Sequence, residues 1–299
     1  MNKDISVLIT DLDNTLYDWV DIWYKSFRSM LDRLVLDAGI PEDVLIPEFK
    51  RIHEEHRTAE YSFSLQELPS LIAKYPGENL PNRFRGAIDA FREARRAALR
   101  LYPGVAETLR SLKDTGCLLI GYTESMQFYT NYRVRHLNLD GLLDYIYSPP
   151  DHALPNKLNR LYSDEHYLLR STIHKTLARG EVKPNQRVLL QIIKETGART
   201  GECVYVGDSL MKDIFMAQKA GVEDVWARYG VAQSREEYEL LRRVTHWTSE
   251  DVEAEKKLMP EQVNPTHTLR ESFAELLDIF KFATFNKRTF RESLEASGR

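Results

Sequence analysis

The chain has 299 residues, of which 42% are hydrophobic and 29% charged, enough for one large or two moderate domains with an ordinary core. Its 41 Lys and Arg residues against 45 Asp and Glu residues give a net charge of −4, which argues against nucleic acid as a general partner. No apolar run approaches the roughly 20 residues that a membrane-spanning helix needs, and the amino terminus lacks a signal-peptide pattern. We therefore expect a cytoplasmic protein without a membrane partner, in which Cys117 and Cys203 are buried, reduced thiols.

The first predicted element is an apolar run at residues 5–10 that ends in two carboxylates, Asp11 and Asp13. Such a run is typical of a buried strand in a parallel sheet. Because side chains alternate along a strand, the one-residue gap lets both carboxylates point to the same place beyond the strand end. Asn14 and Thr15 then suit a tight turn whose N–H groups can meet an anion.

Residues 16–100 have the periodicity of helices only, starting with Trp19, Trp23 and Phe27. A crossover between parallel strands normally needs one helix of about 10 to 15 residues, so this segment is far too long for that role. We expect it to form an all-helical cap domain that is inserted after the first strand.

Strands and helices alternate after residue 101, which predicts an α/β fold with a Rossmann-like, doubly wound parallel sheet. The predicted strands are residues 117–123, 145–148, 202–208 and 224–228. The predicted helices are residues 105–113, 126–136, a helix from Pro184 to Gly197, and 209–220.

Two stretches of this region have a less regular pattern. Residues 151–180 are read as an insertion, with a helix that starts near Ser163 and continues through Ile173; its three histidines, His152, His166 and His174, are predicted to be surface residues. Near the end, residues 242–247 are predicted to be a short strand, 250–257 a charged solvated segment and 269–282 an amphipathic helix. The predicted domains are a catalytic core of residues 1–15 and 101–282, a cap of 16–100 and a polar tail of 283–299.

Polar residues follow the predicted strand ends or begin the helices after them: Asp11 and Asp13, Thr123, Lys183, and Asp208 with Asp213. The carboxyl ends of parallel strands meet at one edge of a sheet, so these residues are expected to converge. A carboxylate such as Asp11 can attack phosphorus and form an aspartyl-phosphate. Asp13 can protonate the leaving oxygen and then deprotonate the attacking water.

The other groups suit a phosphate and a metal ion. Asp11 and Asp208 offer hard oxygen ligands for Mg²⁺. Thr123 and Lys183 can bind phosphate oxygens, and Asp213 is expected to hold Lys183 or a metal-bound water rather than the metal. Lys175 and Arg179 are alternatives to Lys183, but neither precedes a Pro that can start a helix.

Four segments in this order resemble the motifs of the haloacid dehalogenase-like superfamily: residues 11–16, Thr123, Lys183-Pro184 and residues 207–213. The resemblance covers roughly residues 1–15 and 101–230, and residues 16–100 resemble the cap that one branch of phosphatases inserts after the first motif. It implies Mg²⁺, Asp11 as nucleophile and Asp13 as acid/base. It also implies that the backbone carbonyl of Asp13 binds the metal, so Asp13 joins Asp11 and Asp208 as a ligand.

The sequence therefore predicts an enzyme, a Mg²⁺-dependent phosphatase of a small phosphorylated metabolite. Sugar phosphates, nucleoside monophosphates and phosphoglycolate-like acids all remain open as substrates, as does the oligomeric state. A phosphomutase shares all these groups, and a binding module without activity shares the fold. The carboxylate Asp13 argues against displacement of halide, which needs no acid/base at that position.

Overall fold

The computed structural model describes residues 4–151, 168–232, 235–247 and 263–286. Within them the chain divides into two compact units. The first unit holds residues 4–17, 100–151, 168–231 and 263–286, and the second holds 18–99, 232 and 235–247. Residues 235–247, predicted to belong to the α/β core, lie in the second unit.

The first unit is built on a parallel sheet. Its strands are β2 (Val7–Thr10), β3 (Leu118–Tyr122), β4 (Tyr145–Ser148), β5 (Ile173–Thr176), β6 (Cys203–Gly207), β7 (Glu223–Ala227) and β8 (His267–Leu269). They lie in the order β5-β4-β3-β2-β6-β7-β8, and all neighbours are parallel. A separate parallel pair joins β1 (Asp4–Ile5) to β9 (Lys281–Phe282). The predicted α/β fold with a Rossmann-like parallel sheet is confirmed.

Strand β2 lies in the middle of the sheet because its side chains are suited to burial on both faces. Val7, Leu8 and Ile9 have no exposed surface, and Thr10 at the end of the strand is also buried. A continuous apolar run of this kind is stable only between two layers of helices. The polar residues that follow β2 are thereby carried to the central position of the sheet edge.

Helices cover the sheet of the first unit. They are α7 (Val105–Asp114), α8 (Gln127–His136), α9 (Gln186–Thr196), α10 (Phe215–Ala220) and α12 (Leu276–Ile279), and a π-helical segment, Leu210–Ile214, leads into α10. The Asn185 side chain caps α9 by accepting the Val188 N–H, and Gly197 ends the helix in a left-handed conformation. The helix therefore begins two residues after Pro184, not at it as predicted.

The second unit is helical. It consists of α1 (Trp19–Ala38), α2 (Glu42–His56), α3 (Ser64–Glu67), α4 (Pro69–Lys74), α5 (Leu80–Arg83), α6 (Arg85–Ala98) and α11 (Glu236–Val244). Asp18 caps α1 by accepting the Asp21 N–H at 2.9 Å, and Gly39 ends it with a φ of 60°. The prediction of helices only between residues 16 and 100 is confirmed for this unit.

Helix α11 belongs to the core of the helical unit. Its buried residues Tyr238, Leu241 and Val244 pack with residues of α1 and α2 in one apolar cluster. Nδ1 of His53 on α2 lies 2.6 Å from the Val244 carbonyl. The predicted strand at residues 242–247 is therefore wrong, because the apolar spacing that begins at Tyr238 is that of a helix.

The predicted helix at residues 269–282 is also wrong. The Glu275 carboxylate accepts the backbone N–H groups of Arg270, Glu271 and Ser272, which holds the chain in a tight turn. Such side-chain bonds to the backbone compete with a continuous helix. The segment instead forms the end of β8, a short 3-10 helix, the single turn α12 and β9.

Ile173 lies in strand β5, not in a helix as predicted. Asp140 accepts the N–H groups of Arg170, Ser171 and Thr172, so the chain turns immediately before β5 and pairs with β4. The predicted helix start at Ser163, the residues His152 and His166, and the segments 250–257 and 287–299 lie outside the described residues.

Two further predictions concern the whole chain. Cys117 and Cys203 are buried free thiols, as predicted, and burial raises the pKa of the Cys117 thiol to about 12. Among the described residues, every helix is too short or too polar to cross a bilayer.

Candidate active site

The ends of strands β2, β3 and β6 meet at the centre of the sheet edge. Thr10 pairs with Gly121 of β3 and with Val206 of β6, and the Asp11 N–H donates to the Val206 carbonyl at 2.8 Å. The residues that immediately follow these strands include Asp11, Thr123 and Asp208. The register of the strands therefore brings these residues together at the sheet edge, as expected for a parallel sheet.

The loop after β2 is a tight turn. The Leu16 N–H donates to the Leu12 carbonyl at 2.8 Å, and Asn14 has a φ of 58°, a conformation that Asn adopts more readily than most residues. The Thr15 hydroxyl donates to Oδ2 of Asp11 at 3.2 Å. Gly230 lies against this turn so closely that a Cβ there would be 1.7 Å from the Asn14 carbonyl oxygen.

Lys183 joins two of the carboxylates. Its Nζ donates to Oδ1 of Asp11 at 2.5 Å and to Oδ1 of Asp213 at 2.9 Å, and all three side chains are buried. Asp213 also accepts from the Tyr205 hydroxyl at 2.9 Å and from the Ser209 N–H at 3.1 Å. Asp213 is predicted to hold Lys183 or a metal-bound water, and its contact with Lys183 is present in the structure.

The electrostatics of this cluster favour a charged lysine. Burial lowers the pKa of the Lys183 ammonium, but the Asp11 and Asp213 carboxylates raise it. The resulting pKa lies well above the ordinary value for lysine. Burial raises the pKa of the Asp11 carboxyl to about 7; Lys183 opposes this shift, and the Asp213 and Asp13 carboxylates add to it. Burial first, and the neighbouring carboxylates second, therefore disfavour the negative charge of Asp11, and Lys183 partly offsets both effects.

The acidic residues suit a divalent cation. Asp11, Asp208 and Asp213 each offer one carboxylate oxygen, and these oxygens lie within 4.8 Å of one another. Carboxylate oxygens are the ligands that hard divalent cations prefer. The site contains four carboxylates and two buried cations: Asp11, Asp13, Asp208 and Asp213 against Lys183 and Arg133. A doubly charged ion would therefore balance it.

Asp13 is held by three side chains. Its Oδ2 accepts from the Thr123 hydroxyl at 3.0 Å and the Ser125 hydroxyl at 2.7 Å, and its Oδ1 accepts from Arg133 at 3.2 Å. Sequence reasoning missed Ser125 and Arg133. Arg133 lies four residues after Tyr129, on the buried side of α8, and a charged residue in that register is the signal that could have identified it.

Glu124 connects the loops that carry Thr123 and Lys183. Its Oε1 accepts the Lys183 backbone N–H at 3.0 Å, and its Oε2 accepts from Nζ of Lys212 at 2.7 Å. The carboxylate thus fixes the backbone of Lys183, whose side chain reaches Asp11. Glu124 was not singled out from the sequence either.

The predicted alternatives to Lys183 lie elsewhere. Lys175 pairs with Glu195 at 2.8 Å, and Arg179 donates to the Asp151 carbonyl at 2.7 Å. His174, predicted to be a surface residue, is largely enclosed: its ring nitrogens lie 2.6 Å from Oδ1 of Asn131 and 2.7 Å from Oγ of Ser148.

Comparison with known proteins identifies the family. The model of the haloacid dehalogenase-like hydrolases matches residues 5–221. The chain belongs to this family. The haloacid dehalogenase-like assignment predicted from the four motifs is therefore confirmed.

Curated relatives of this haloacid dehalogenase-like hydrolase include phosphatases. A glyceraldehyde 3-phosphate phosphatase of Methanopyrus kandleri is 24% identical over 232 residues, which cover 78% of this chain and 88% of the relative. A protein of the same name from Pyrococcus furiosus is 22% identical over 244 residues, which cover 76% of this chain and 82% of the relative. The prediction of an enzyme of the phosphoric monoester hydrolase class is confirmed by the family and these relatives.

Solved structures agree with the fold. A haloacid dehalogenase-like phosphatase from Thermococcus onnurineus has a TM-score of 0.53 at 16% identity, covering 94% of this chain and 100% of that chain. A 2-haloacid dehalogenase from Pseudomonas syringae has a TM-score of 0.52 at 18% identity, covering 92% of this chain and 97% of that chain. At these identities the likeness concerns the fold alone.

Proposed function

We propose that this hydrolase is a cytoplasmic, Mg²⁺-dependent phosphatase that hydrolyses a small sugar-type phosphomonoester through an aspartyl-phosphate intermediate. The observation that carries the proposal is the buried contact of Lys183 with both Asp11 and Asp213, in the same cluster as Asp208. This arrangement combines a nucleophile, a cation for the phosphate and oxygen ligands for a metal.

Asp11 is the proposed nucleophile. Its carboxylate oxygen attacks phosphorus, the bond from phosphorus to the leaving oxygen breaks, and an aspartyl-phosphate forms. Water then attacks the phosphorus, which releases phosphate and regenerates the Asp11 carboxylate. Lys183 supports this role because its ammonium, 2.5 Å away, favours the ionised carboxylate that the attack requires.

Asp13 is the proposed acid and base. It donates a proton to the leaving oxygen in the first step and accepts one from the attacking water in the second. Its side chain is 19% exposed, so a substrate oxygen can reach it.

Thr123 and Lys183 are the proposed phosphate ligands. The Lys183 ammonium offsets the charge of one phosphate oxygen, and the Thr123 hydroxyl donates to another. A hydroxyl has one proton, and that of Thr123 is donated to Asp13 in this structure. Binding of phosphate therefore requires the Thr123 hydroxyl to turn away from Asp13.

The acidic cluster fits Mg²⁺ because all its donor atoms are carboxylate oxygens close to one another. Asp11, Asp208 and the backbone carbonyl of Asp13 would hold the ion, and Asp213 would keep its bonds to Lys183, Tyr205 and Ser209. When bound, Mg²⁺ would neutralise carboxylate charge and polarise a phosphate oxygen.

The substrate class rests on the curated relatives. Three proteins at 22–24% identity are named glyceraldehyde 3-phosphate phosphatase. This favours a small phosphorylated sugar over a nucleoside monophosphate or a phosphoglycolate-like acid.

The test is phosphate release from glyceraldehyde 3-phosphate, other sugar phosphates, nucleoside monophosphates and phosphoglycolate, with Mg²⁺ and with a chelator. We expect the highest kcat/KM on a sugar phosphate, no release in chelator, and none from Asp11→Asn. Acid-quenched wild type should carry phosphate on Asp11, detected by mass spectrometry. Asp37→Asn, which removes an exposed carboxylate of α1 in the helical unit, is the matched control and should keep full activity.

Three results would count against the proposal. Release that persists in Asp11→Asn contradicts the nucleophile, and release unaffected by chelator contradicts the metal. Transfer of phosphate to a second hydroxyl of the substrate, without release to water, indicates the phosphomutase alternative.

A further inference from the structure

We infer that Arg133 is a positioning residue that holds the Asp13 carboxylate in place for proton transfer during catalysis. The inference rests on the proposed function and goes beyond it, because Arg133 belongs to none of the four sequence motifs. It is carried by the contacts around Asp13 and by the burial of the guanidinium.

Arg133, Ser125 and Asp13 form a closed ring of hydrogen bonds. Nη1 of Arg133 donates to Oδ1 of Asp13 at 3.2 Å and to Oγ of Ser125 at 2.9 Å. The Ser125 hydroxyl in turn donates to Oδ2 of Asp13 at 2.7 Å. Both carboxylate oxygens are thus fixed, so the plane of the carboxylate is defined and not only its position.

The Arg133 guanidinium is itself immobilised. Only 2% of its side chain is exposed, and its Cζ lies 5.6 Å from the Tyr129 ring centroid and 5.9 Å from the Tyr17 ring centroid. Cations are stabilised over aromatic faces at such distances. Since Asp13 is 19% exposed and Arg133 is buried behind it, a substrate meets Asp13 and not Arg133.

The ring of hydrogen bonds is needed because the Thr123 hydroxyl is proposed to move away from Asp13. The Thr123 hydroxyl also donates to Oδ2 of Asp13, at 3.0 Å, and must leave that oxygen to bind a phosphate. Arg133 and Ser125 are then the side chains that still hold Asp13. A carboxylate held by Thr123 alone would lose its orientation at the moment when proton transfer needs it.

The leaving group separates this role from a merely structural one. A good leaving group such as p-nitrophenolate departs without a proton, whereas an alkoxide needs one from Asp13. Because kcat/KM reports the steps up to formation of the phosphoenzyme, a misplaced Asp13 lowers kcat/KM for an alkyl phosphate and spares that for an aryl phosphate.

The experiment compares kcat/KM of Arg133→Met on glycerol phosphate and on p-nitrophenyl phosphate, with Mg²⁺. We expect a fall of about 100-fold on the alkyl ester and less than about fivefold on the aryl ester, in the range of general acid catalysis. Arg133→Lys should recover part of the alkyl activity. In an Asp13→Asn background, Arg133→Met should change kcat/KM on either ester by less than about twofold, because it acts through Asp13.

Equal losses on the two esters, or no loss on either, would overturn the inference. If Arg133→Met does not fold, Ser125→Ala breaks the same ring with a smaller change and must give the same selective loss. Arg135→Met, on the same helix, is the matched control and should leave both values unchanged. If wild type does not hydrolyse glycerol phosphate, its preferred sugar phosphate is the alkyl ester of the comparison; wild type that hydrolyses no ester at all would contradict the proposed function itself, and this outcome is distinct from an unselective variant.

Discussion

The Lys183 ammonium lies 2.5 Å from Oδ1 of Asp11, and both side chains are almost completely buried. A contact of this kind ties the activity of the site to the stability of the fold. Without the lysine, the Asp11 and Asp213 carboxylates would remain buried without the cation that both contact.

Replacing Lys183 with Met should therefore lower both activity and stability. We expect kcat to fall about 100- to 1000-fold, the range for loss of one group that stabilises developing charge. The free energy of unfolding should fall by about 3 kcal/mol in chelator, as when one partner of a buried ion pair is removed. Steady-state kinetics and denaturant titration measure the two effects.

Lys175→Met is the control for the Lys183 variant. Lys175 pairs with Glu195 near the surface, where removal of an ion pair costs at most about 1 kcal/mol. A Lys183 variant that is as active and as stable as this control would contradict the role of the buried contact.

Gly207 should not tolerate even a methyl group. A Cβ at this position would lie 2.3 Å from Cγ of Asp213, so Gly207→Ala must push Asp213 away from Lys183. We expect a loss of stability of about 2 kcal/mol, the usual cost of overpacking, and at least a tenfold loss of kcat. Thermal unfolding and phosphate release are the measurements.

Gly86→Ala is the matched control for Gly207→Ala. A Cβ at Gly86 in α6 would meet only the end of the Arg33 side chain, at 3.3 Å, and Ala is a better helix former than Gly. This variant should be at least as stable as wild type. If Gly207→Ala behaved like it, the close approach of Asp213 would not matter.

Five strands of the sheet, β2, β3, β4, β6 and β7, could be predicted because local patterns determine them. The apolar run before Asp11 can only be stable as a buried strand, and parallel strands bring Thr123 and Asp208 to the same edge. The last part of the chain could not be read in the same way. Glu275 binds backbone N–H groups close to it in sequence, and these bonds stop the helix that the apolar spacing predicted there. Before β5 it is Asp140, 32 positions away from Thr172, that turns the chain, and no local pattern shows such a contact.

The contacts of the side chains around the motifs could not be predicted, and the reason is a different one. Arg133 reaches Asp13 across 120 positions of sequence, and Glu124 reaches the Lys183 backbone across 59. The register of Arg133 on α8 shows that it is buried, but nothing in the sequence shows that its partner is Asp13, and the Glu124 contact leaves no pattern at all. Only the packing of α8 and of the loops shows which groups these charged residues contact.

Glu124 should affect activity through the backbone of Lys183. Glu124→Ala removes the acceptor of the Lys183 N–H, so the lysine loses an anchor, and we expect kcat to fall about tenfold, which corresponds to about 1.4 kcal/mol. Glu124→Gln retains a carbonyl acceptor and should keep most of the activity. Kinetics with the preferred phosphomonoester check both values.

Lys212→Met distinguishes the two contacts of Glu124. It removes the ammonium from Oε2 of Glu124 but leaves the bond to the Lys183 backbone, so its kcat should stay within about twofold of wild type. A Lys212 variant as impaired as Glu124→Ala would assign the effect to the ion pair instead.

His174 should make the fold sensitive to acid. Burial lowers the pKa of the His174 imidazole from 6.5 to about 4, and the neutral ring bridges Asn131 and Ser148.

Because the unfolded chain binds the His174 proton near pH 6.5 and the folded chain only near pH 4, stability is full above pH 6.5 and falls as the pH drops toward 4. His53, whose pKa burial also lowers to about 4, acts in the same direction. We expect His174→Gln, compared with wild type by denaturant titration, to lose less stability between about pH 7 and pH 4.5, by on the order of 2 kcal/mol. The same dependence of unfolding free energy on pH in both proteins would show that His174 does not titrate with folding. The control is His136→Gln, at the exposed end of α8, which should reproduce the wild-type dependence.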